Sequence, residues 1–250
     1  LEQLGGHVLE RRIAQDAGVV DDDVDPLEGV EGGLDDGLAT LGRGDGVVVG
    51  HRLPTEQSRY KELSQKGQAP EVMVVGCCDS RVSPEVIFDS GPGELFVVRN
   101  VANLVPVYEP DGRGHGVSAA LEYAVQVLKI KHIVVLGHAQ CGGIRAFVDD
   151  AAPLSPGDFI GKWMSMFVKP GETVSRRDHE TMQQFVTRIE KAAILRSIEN
   201  LMTFPFVKNR VDSGELHLHG AYFGVAEGSL SIVDQSTNEF SRVYQSSLAS

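Results

Sequence analysis

Cysteine is scarce in this sequence. Only three occur among 250 residues, and two of them, Cys77 and Cys78, are adjacent. An odd number with this spacing excludes the disulfide framework of a small secreted domain. The N-terminus also lacks the basic stretch and apolar core of a secretory signal. We therefore expect a reducing, cytoplasmic location, in which unpaired cysteines commonly bind metals.

Basic residues are in the minority, and no long apolar run is present. Lys and Arg number 23 against 35 Asp and Glu, which gives a net charge of −12. Nucleic-acid binding needs clustered Lys and Arg, so we expect no nucleic-acid partner. No stretch approaches the roughly 18 uninterrupted apolar residues of a membrane span, so we expect no membrane partner. The hydrophobic content of 42% is ordinary for a globular protein with a full core.

Residues 1–54 lack Phe, Tyr, Trp, Lys, Ser, Asn, Met and Cys altogether. They hold 12 acidic and 4 basic residues, and Gly, Asp and Val dominate. A stretch without aromatic anchors buries little surface against a large entropy cost, which predicts a mostly irregular segment. We interpret it as an atypical acidic extension or as the product of a shifted reading frame, and residues 55–250 as the folded domain.

From residue 55 onward, apolar runs alternate with stretches of helical spacing. Strands are predicted for three β-branched runs at 71–76, 94–99 and 132–137. Helices are predicted for 55–67, with Thr55 as its cap, and for 84–88, 116–129, 141–148, 158–169 and 178–204. The C-terminal part changes to a strand period, at 217–226, 229–234 and 239–245. This order predicts an α/β fold, with a mainly parallel central sheet, flanking helices and an added C-terminal hairpin.

Two short motifs follow the first and third predicted strands. The segment CCDSR begins at Cys77, and the segment HAQCGG begins at His138 and contains Cys141. Side chains at the carboxyl ends of neighbouring parallel strands meet at one edge of a sheet. Two thiolates and one imidazole form a three-ligand zinc set that leaves a fourth position for water. We therefore predict a catalytic zinc ion held by Cys77, His138 and Cys141.

Each of these residues alone has a plainer interpretation. A single cysteine is usually a small buried hydrophobe, and Asp79 with Arg81 would be an ordinary ion pair at a strand end. Beside a metal, however, a carboxylate fixed by a guanidinium can ligate the ion or accept a hydrogen bond from its water. Cys78 should point to the opposite face of an extended segment, which predicts buried packing. A redox pair of Cys77 and Cys78 is the alternative thiol chemistry.

The pattern CxDSR followed by HxxCGG resembles the signature of the β-class carbonic anhydrases. The segments PGELFVVRNVAN at 92–103 and LHGAYFGVAEGSL at 218–230 are also similar to that family. The resemblance covers roughly residues 55–245, which makes residues 55–250 the catalytic domain. Residues 1–54 do not resemble the family's helical N-terminal arm.

The resemblance implies specific roles for residues around the zinc ligands. Asp79 and Arg81 would form the catalytic dyad, and Asp79 would itself ligate zinc in a closed state. Substrate-binding positions would be Gln68, Phe96, Val101, Tyr123 and Gly142. The family's closed form has a Trp three residues before the first ligand, and Val74 stands there in this sequence. With Gln68 before the first strand, the open, water-ligated form is expected.

The implied activity is the reversible hydration of carbon dioxide to bicarbonate. Hydrolysis of carbon disulfide or carbonyl sulfide on the same fold is one alternative, and a non-catalytic zinc-binding homologue is another. Asp79, Arg81 and Gln68 favour catalysis, because a structural zinc site needs none of them. The resemblance also implies a homodimer or higher homo-oligomer with an active cleft shared between subunits.

Two further features are predicted from the residues alone. Arg99, at the end of a buried strand, is expected to pair with a carboxylate of an interface or of the substrate. His217 and His219 alternate in a C-terminal strand and share one face. They would form either a second metal site or, as the favoured interpretation, an exposed strand face.

Overall fold

A sheet of six strands organises the part of the chain that the structure describes. In the computed structural model, the described residues are 52–168 and 174–245. The strands are β1 (Val72–Cys77), β2 (Leu95–Asn100), β3 (His132–His138), β4 (His217–Gly224), β5 (Ser229–Asp234) and β6 (Glu239–Gln245). They lie in the order β2-β1-β3-β4-β5-β6, with parallel pairing from β2 to β4 and antiparallel pairing from β4 to β6. The predicted mainly parallel sheet with an added C-terminal hairpin is confirmed.

Helices precede and connect the parallel strands. They are α1 (Arg52–Lys66), α2 (Pro84–Ile87), α3 (Gly116–Glu122), α4 (Gly142–Val148), α5 (Phe159–Met164), α6 (Met182–Leu201) and α7 (Pro205–Asp212). A π-helical turn (Tyr123–Leu128) continues α3, and the two together fill the predicted helix at 116–129. The prediction that Thr55 caps the first helix is wrong, because α1 begins at Arg52. A proline is tolerated in the first turn of a helix, so the residue at position 54 does not delay its start.

The long helix α6 has a start signal that its sequence encodes. The Thr181 side chain accepts a hydrogen bond from the Gln184 amide, and the Gln184 side chain accepts one from the Thr181 amide. This capping box satisfies two backbone donors that would otherwise lack partners at the helix N-terminus. The helix therefore begins at Met182 rather than at the predicted residue 178.

Apolar clusters lie on both faces of the sheet. On one face, Met73 of β1 and Ile133 of β3 join a cluster that includes residues of α3, α6 and α7. On the other face, Val74 and Val134 pack with Phe88, the residue after α2. Burial on both faces explains why β1 and β3 are almost continuously hydrophobic.

Two glycines allow α6 to approach the centre of the sheet. A Cβ atom at Gly137 of β3 would lie 2.6 Å from Ile194 of α6, and one at Gly220 of β4 would lie 2.8 Å from it. Both distances are well below the optimal separation of two carbon atoms. A side chain at either position would clash with Ile194, so glycine lets α6 pack closely beside the carboxyl end of β3.

The described part of the chain contains no helix with the length and hydropathy needed to cross a bilayer. The predicted N-terminal segment, 1–54, lies outside the described residues except for its last three positions.

Candidate metal centre

The candidate site lies where β1 and β3 end. Cys77 is the last residue of β1 and His138 is the last residue of β3. The two strands are parallel neighbours with Gly76 paired to Leu136, so their carboxyl ends meet at one edge. Cys141 follows three residues later, immediately before α4. The predicted convergence of these three residues is confirmed.

The three ligand atoms form a group that fits one metal ion. They all lie within 4.8 Å of one another, and the Sγ atoms of Cys77 and Cys141 are 3.9 Å apart. Two sulfurs bound to one tetrahedral zinc at about 2.3 Å each would be separated by about 3.8 Å. The observed spacing therefore suits a shared zinc ion without rearrangement.

His138 presents a free ring nitrogen to the two sulfurs. Its Nδ1 lies 2.9 Å from the Ala139 carbonyl oxygen, which can only accept, so Nδ1 carries the hydrogen. Nε2 of the neutral ring is then a lone-pair donor, and it is buried without a hydrogen-bond partner among the described residues. Buried polar atoms rarely lack a partner, which makes a bound metal the natural partner of this nitrogen.

The two thiols compete for ionisation. The hydrogen bond from Cys141 lowers the pKa of the Cys77 thiol, whereas the same contact, together with burial, raises the pKa of Cys141. Without a counter-charge, the pair therefore keeps one proton. A coordinated divalent cation holds both sulfurs as thiolates, so the chemistry of this donor set also fits zinc.

Asp79 lies beside this group as a fixed carboxylate. Its Oδ1 accepts from the backbone N and from Nε of Arg81, and its Oδ2 accepts from Nη2 at 2.7 Å. Hydrogen bonding from the Arg81 side chain holds the pKa of Asp79 well below its usual range. Oδ2 is 4.0 Å from Nε2 of His138. An ionised, immobilised acceptor therefore stands next to the metal position.

The loop between His138 and Cys141 is a tight turn with specific anchors. Gln140 has a φ of +59°, in the left-handed region that is strained for a residue with a side chain. Its carbonyl accepts from Nη2 of Arg81 at 3.1 Å. The Cys141 amide donates to Oε1 of Glu190 at 2.9 Å. This geometry turns the chain so that residues three apart face the same point.

Glu190 was not identified as a site residue from the sequence, and Arg99 was expected only to pair with a carboxylate of an interface or of the substrate. Arg99 donates to the carbonyl oxygens of Cys77 and Asp79 at 2.8 and 2.7 Å, and its pairing with a carboxylate of an interface or of the substrate stays a prediction. A signal for Arg99 existed, since an arginine within the apolar run LFVVRN needs buried acceptors. Glu190 gave no comparable signal, because it follows Cys141 by 49 residues on a helix with many charged positions.

Cys78 is exposed, so the prediction that it packs in the core is wrong. The alternation of side chains along a strand applies only within the strand, and β1 ends at Cys77. The next residue is in the loop that leads to Asp79.

The structure divides the predicted substrate-binding residues into two groups. Val101 follows β2 at the metal edge and packs against the apolar cluster around Cys77 and Cys141, and Gly142 begins α4. The other three residues lie elsewhere in the subunit, namely Gln68, Phe96 and Tyr123.

These three residues lie towards the opposite end of the strands. Phe96 pairs with Met73, four positions before Cys77, which places it about 13 Å away along the strand. Tyr123 stacks on Phe96 with ring centroids 6.0 Å apart. Gln68 precedes the start of β1. Within one subunit, none of them is beside the metal position.

Comparison with known proteins gives consistent matches. A sequence model of the family described as carbonic anhydrase matches residues 72–230. β-Carbonic anhydrase 3 of Arabidopsis thaliana is 37% identical over 178 residues, covering 69% of this chain and 67% of the relative.

Solved structures are similar as well. The β-carbonic anhydrase CcaA superposes with a TM-score of 0.70 at 27% identity, covering 86% of this chain and 92% of that one. A second match is to tetrameric β-carbonic anhydrases of Sordaria macrospora, with a TM-score of 0.60, 28% identity, and coverage of 80% and 93%.

Proposed function

The chain belongs to the β-class of the carbonic anhydrase family, and from this premise we propose that it catalyses the zinc-dependent, reversible hydration of carbon dioxide to bicarbonate and a proton. One observation carries the proposal. Two buried thiols and an unpartnered imidazole nitrogen converge within 4.8 Å, beside a carboxylate held ionised by an arginine. A structural zinc site has no need of that carboxylate.

Cys77, His138 and Cys141 would hold the metal. When bound in such a site, zinc supplies Lewis-acid activation of a water molecule near neutral pH. Asp79 is ionised and accepts hydrogen bonds only, so we propose that it orients the attacking water by accepting its hydrogen. Arg81 keeps that carboxylate in one orientation through two side-chain bonds.

The open form of the site is our proposal for the resting enzyme. Both carboxylate oxygens of Asp79 accept from Arg81, which holds the carboxylate in one orientation, and Oδ2, with a single bond from Arg81, keeps a lone pair for a hydrogen of the water. Ligation by Asp79 in a closed state would require at least part of that contact to break. The small Val74 stands where the family's closed form has a Trp.

We further propose that the active unit is a homodimer or a larger homo-oligomer. Val101 and Gly142 would contact the substrate from the same subunit as the metal. Gln68, Phe96 and Tyr123 lie too far from that metal, so they would reach the cleft of a second subunit. The relatives from Sordaria macrospora are described as tetrameric, which supports assembly in general.

The edge of the sheet offers a surface for this assembly. Among the described residues, β2 pairs with β1 alone, and all six of its residues are half-buried. Tyr123, whose ring stacks on Phe96 of β2, is 46% exposed, and Val127, one turn later, is 59% exposed. An apolar edge strand flanked by exposed apolar side chains is favourable for contact with a second copy.

A cytoplasmic location also stays part of the proposal. Both thiol ligands and Cys78 are unpaired. Thiols of this kind remain reduced in such a compartment.

The test of the activity combines a metal assay with a rate assay. Purified protein should contain one zinc per chain and hydrate carbon dioxide, and removal of zinc by a chelator should abolish the rate until zinc is restored. Faster turnover of carbonyl sulfide or carbon disulfide would favour the hydrolase alternative. A zinc-loaded protein inactive on all three gases would indicate the non-catalytic homologue.

A further inference from the structure

Glu190 is a buried carboxylate that contacts the metal centre without reaching the metal. It lies on α6 and is 2% exposed. Its Oε1 accepts from the Cys141 amide at 2.9 Å, and its Oε2 accepts from the Tyr222 hydroxyl of β4 at 2.7 Å. A buried carboxylate is unfavourable unless donors satisfy it, and both oxygens here have one.

The Cys141 amide needs an acceptor of this kind. Cys141 is the residue that caps α4, where backbone amides lack partners within the helix. Its own side chain makes no capping bond, because the sulfur faces Cys77. The preceding residue, Gln140, holds the left-handed backbone conformation that aims Cys141 at the metal position. Strain of this kind persists only where surrounding contacts fix it.

Three other backbone groups of the loop already have partners. The Ala139 carbonyl accepts from His138, and the Gln140 carbonyl accepts from Arg81. The Ala139 amide donates to the Phe223 carbonyl of β4 at 2.9 Å. Among these contacts, the bond to Glu190 joins the loop to α6.

Helix α6 is a rigid support for that bond. Ile194, one turn after Glu190, is fully buried against the positions of Gly137 and Gly220. Tyr222 holds the second carboxylate oxygen from the sheet. The position of Cys141 is therefore fixed, through Glu190, by two packed elements, α6 and β4.

We propose that Glu190 is a positioning residue for the zinc ligand Cys141. Loss of its acceptor would leave a buried amide without a partner, and the loop would relax away from the strained turn. The Cys141 sulfur would then lie off the position it shares with Cys77. The proposal rests on the metal centre of the proposed function, and it predicts an effect on metal affinity before any effect on rate. Partners outside the ligand shell commonly change metal affinity by about 10- to 100-fold.

The experiment compares three variants as metal-free folded proteins. Glu190→Leu removes the acceptor at similar volume. Glu190→Gln keeps an amide oxygen for Cys141 and an NH₂ group that can donate to Tyr222. Asn200→Leu is the matched control, because Asn200 is buried on the same helix and donates to the Val105 carbonyl, away from the ligands.

Zinc affinity is measured by competition with a chromogenic chelator, and the thiolate-to-metal absorption of the cobalt(II) form reports the ligand geometry. We expect Glu190→Leu to bind zinc about 10- to 100-fold more weakly with altered cobalt absorption. Glu190→Gln should stay within about threefold of the wild type, and Asn200→Leu should lose stability but keep its zinc affinity.

Two outcomes would overturn the inference. One is a Glu190→Leu protein that binds zinc as tightly as the wild type. The other is an Asn200→Leu protein that loses as much affinity, since the effect would then be general destabilisation. If the wild type itself failed to bind zinc, the proposed metal centre would be disproved, and the proposed function with it.

Discussion

Arg81 and Arg99 both lie beside Asp79 and have different partners. Arg81 donates to the carboxylate, which fixes the charge and orientation of that side chain. Arg99 donates to the carbonyl oxygens of Cys77 and Asp79, which fixes the backbone between the first ligand and the carboxylate. Each role uses two nitrogens of one planar guanidinium, a geometry that lysine does not provide.

The role of Asp79 can be tested at this scale. We expect Asp79→Ala to lower kcat/KM for carbon dioxide hydration by about 100-fold or more, because the attacking water loses its acceptor. The zinc content should stay at one per chain, since the three ligands are intact. Stopped-flow hydration assays with zinc quantification on the same sample measure both.

A second arginine-paired aspartate provides the control. Asp149 accepts from Nε of Arg145 at 2.6 Å on the surface of α4 and its C-cap. Asp149→Ala removes a similar ion pair and should leave the rate unchanged. Undiminished hydration by a zinc-loaded Asp79→Ala protein would remove the dyad from the mechanism.

At the scale of elements, the sequence is informative where local pattern decides the structure. The runs before Cys77 and His138 predict buried parallel strands, and neighbouring strands bring their ends together, so the three ligands could be found from the sequence. Glu190 and Tyr222 could not, because their meeting depends on how α6 packs on β4. The exposure of Cys78 depends on where β1 ends, and strand ends are set by tertiary contacts rather than by the apolar run.

The starts of β3 and β4 carry three histidines on one face. His132 and His217 are paired in register with ring centroids 5.4 Å apart. Nδ1 of His132 lies 3.2 Å from Nε2 of His219. His217 is exposed, as predicted for a strand face, but His219 is half-buried. The three ligand atoms of this group do not meet the mutual spacing that Cys77, His138 and Cys141 satisfy, so the strand-face interpretation is favoured.

Burial of His219 predicts a pH dependence of stability. Burial, with the charges of His132 and His217, lowers the pKa of His219 from 6.5 to about 3. Between these values the unfolded chain binds more protons, so this contribution to stability is full above pH 6.5 and is lost as the pH falls towards 3. The free energy of unfolding should fall less in His219→Gln than in the wild type between pH 7 and pH 4, and the difference should be on the order of a few kcal/mol.

Urea unfolding at several pH values measures this difference. The metal ligands titrate too, but they are the same in both proteins and cancel in the comparison. His132 and His217 remain in the variant, as does the Lys131–Glu71 ion pair next to His132. Identical pH profiles for the two proteins would show that the buried imidazole of His219 does not cause the pH dependence of stability.

At the scale of the whole molecule, the components of the proposed cleft lie at opposite ends of one sheet. The ligands, Asp79 and Arg81 lie at the carboxyl end of β1 and β3. Gln68, Phe96 and Tyr123 lie towards the start of β1 and β2. A single subunit therefore holds two halves that do not meet, and a second copy placed across β2 would bring the halves of different subunits together.

This arrangement predicts that assembly and activity are lost together. Val127 is 59% exposed and lies one turn after Tyr123, whose ring stacks on Phe96 of β2. We expect Val127→Glu to place a charge in the subunit contact and to shift the protein to monomers. The hydration rate should fall by about 100-fold, because the cleft would lose the Gln68 amide, which would donate to a substrate oxygen. Size-exclusion chromatography with light scattering, run beside the rate assay, measures both effects.

Leu154→Glu is the matched control, because Leu154 is 93% exposed in a loop after α4 and the same charge there should change neither mass nor rate. A monomeric Val127→Glu protein with full activity would show that one subunit supplies the whole cleft. An unchanged oligomer would show that the contact lies elsewhere than at the β2 edge. Val127 precedes β3, whereas the metal position lies at the carboxyl end of that strand. A loss of rate that accompanies the loss of mass would therefore reflect the missing neighbouring subunit.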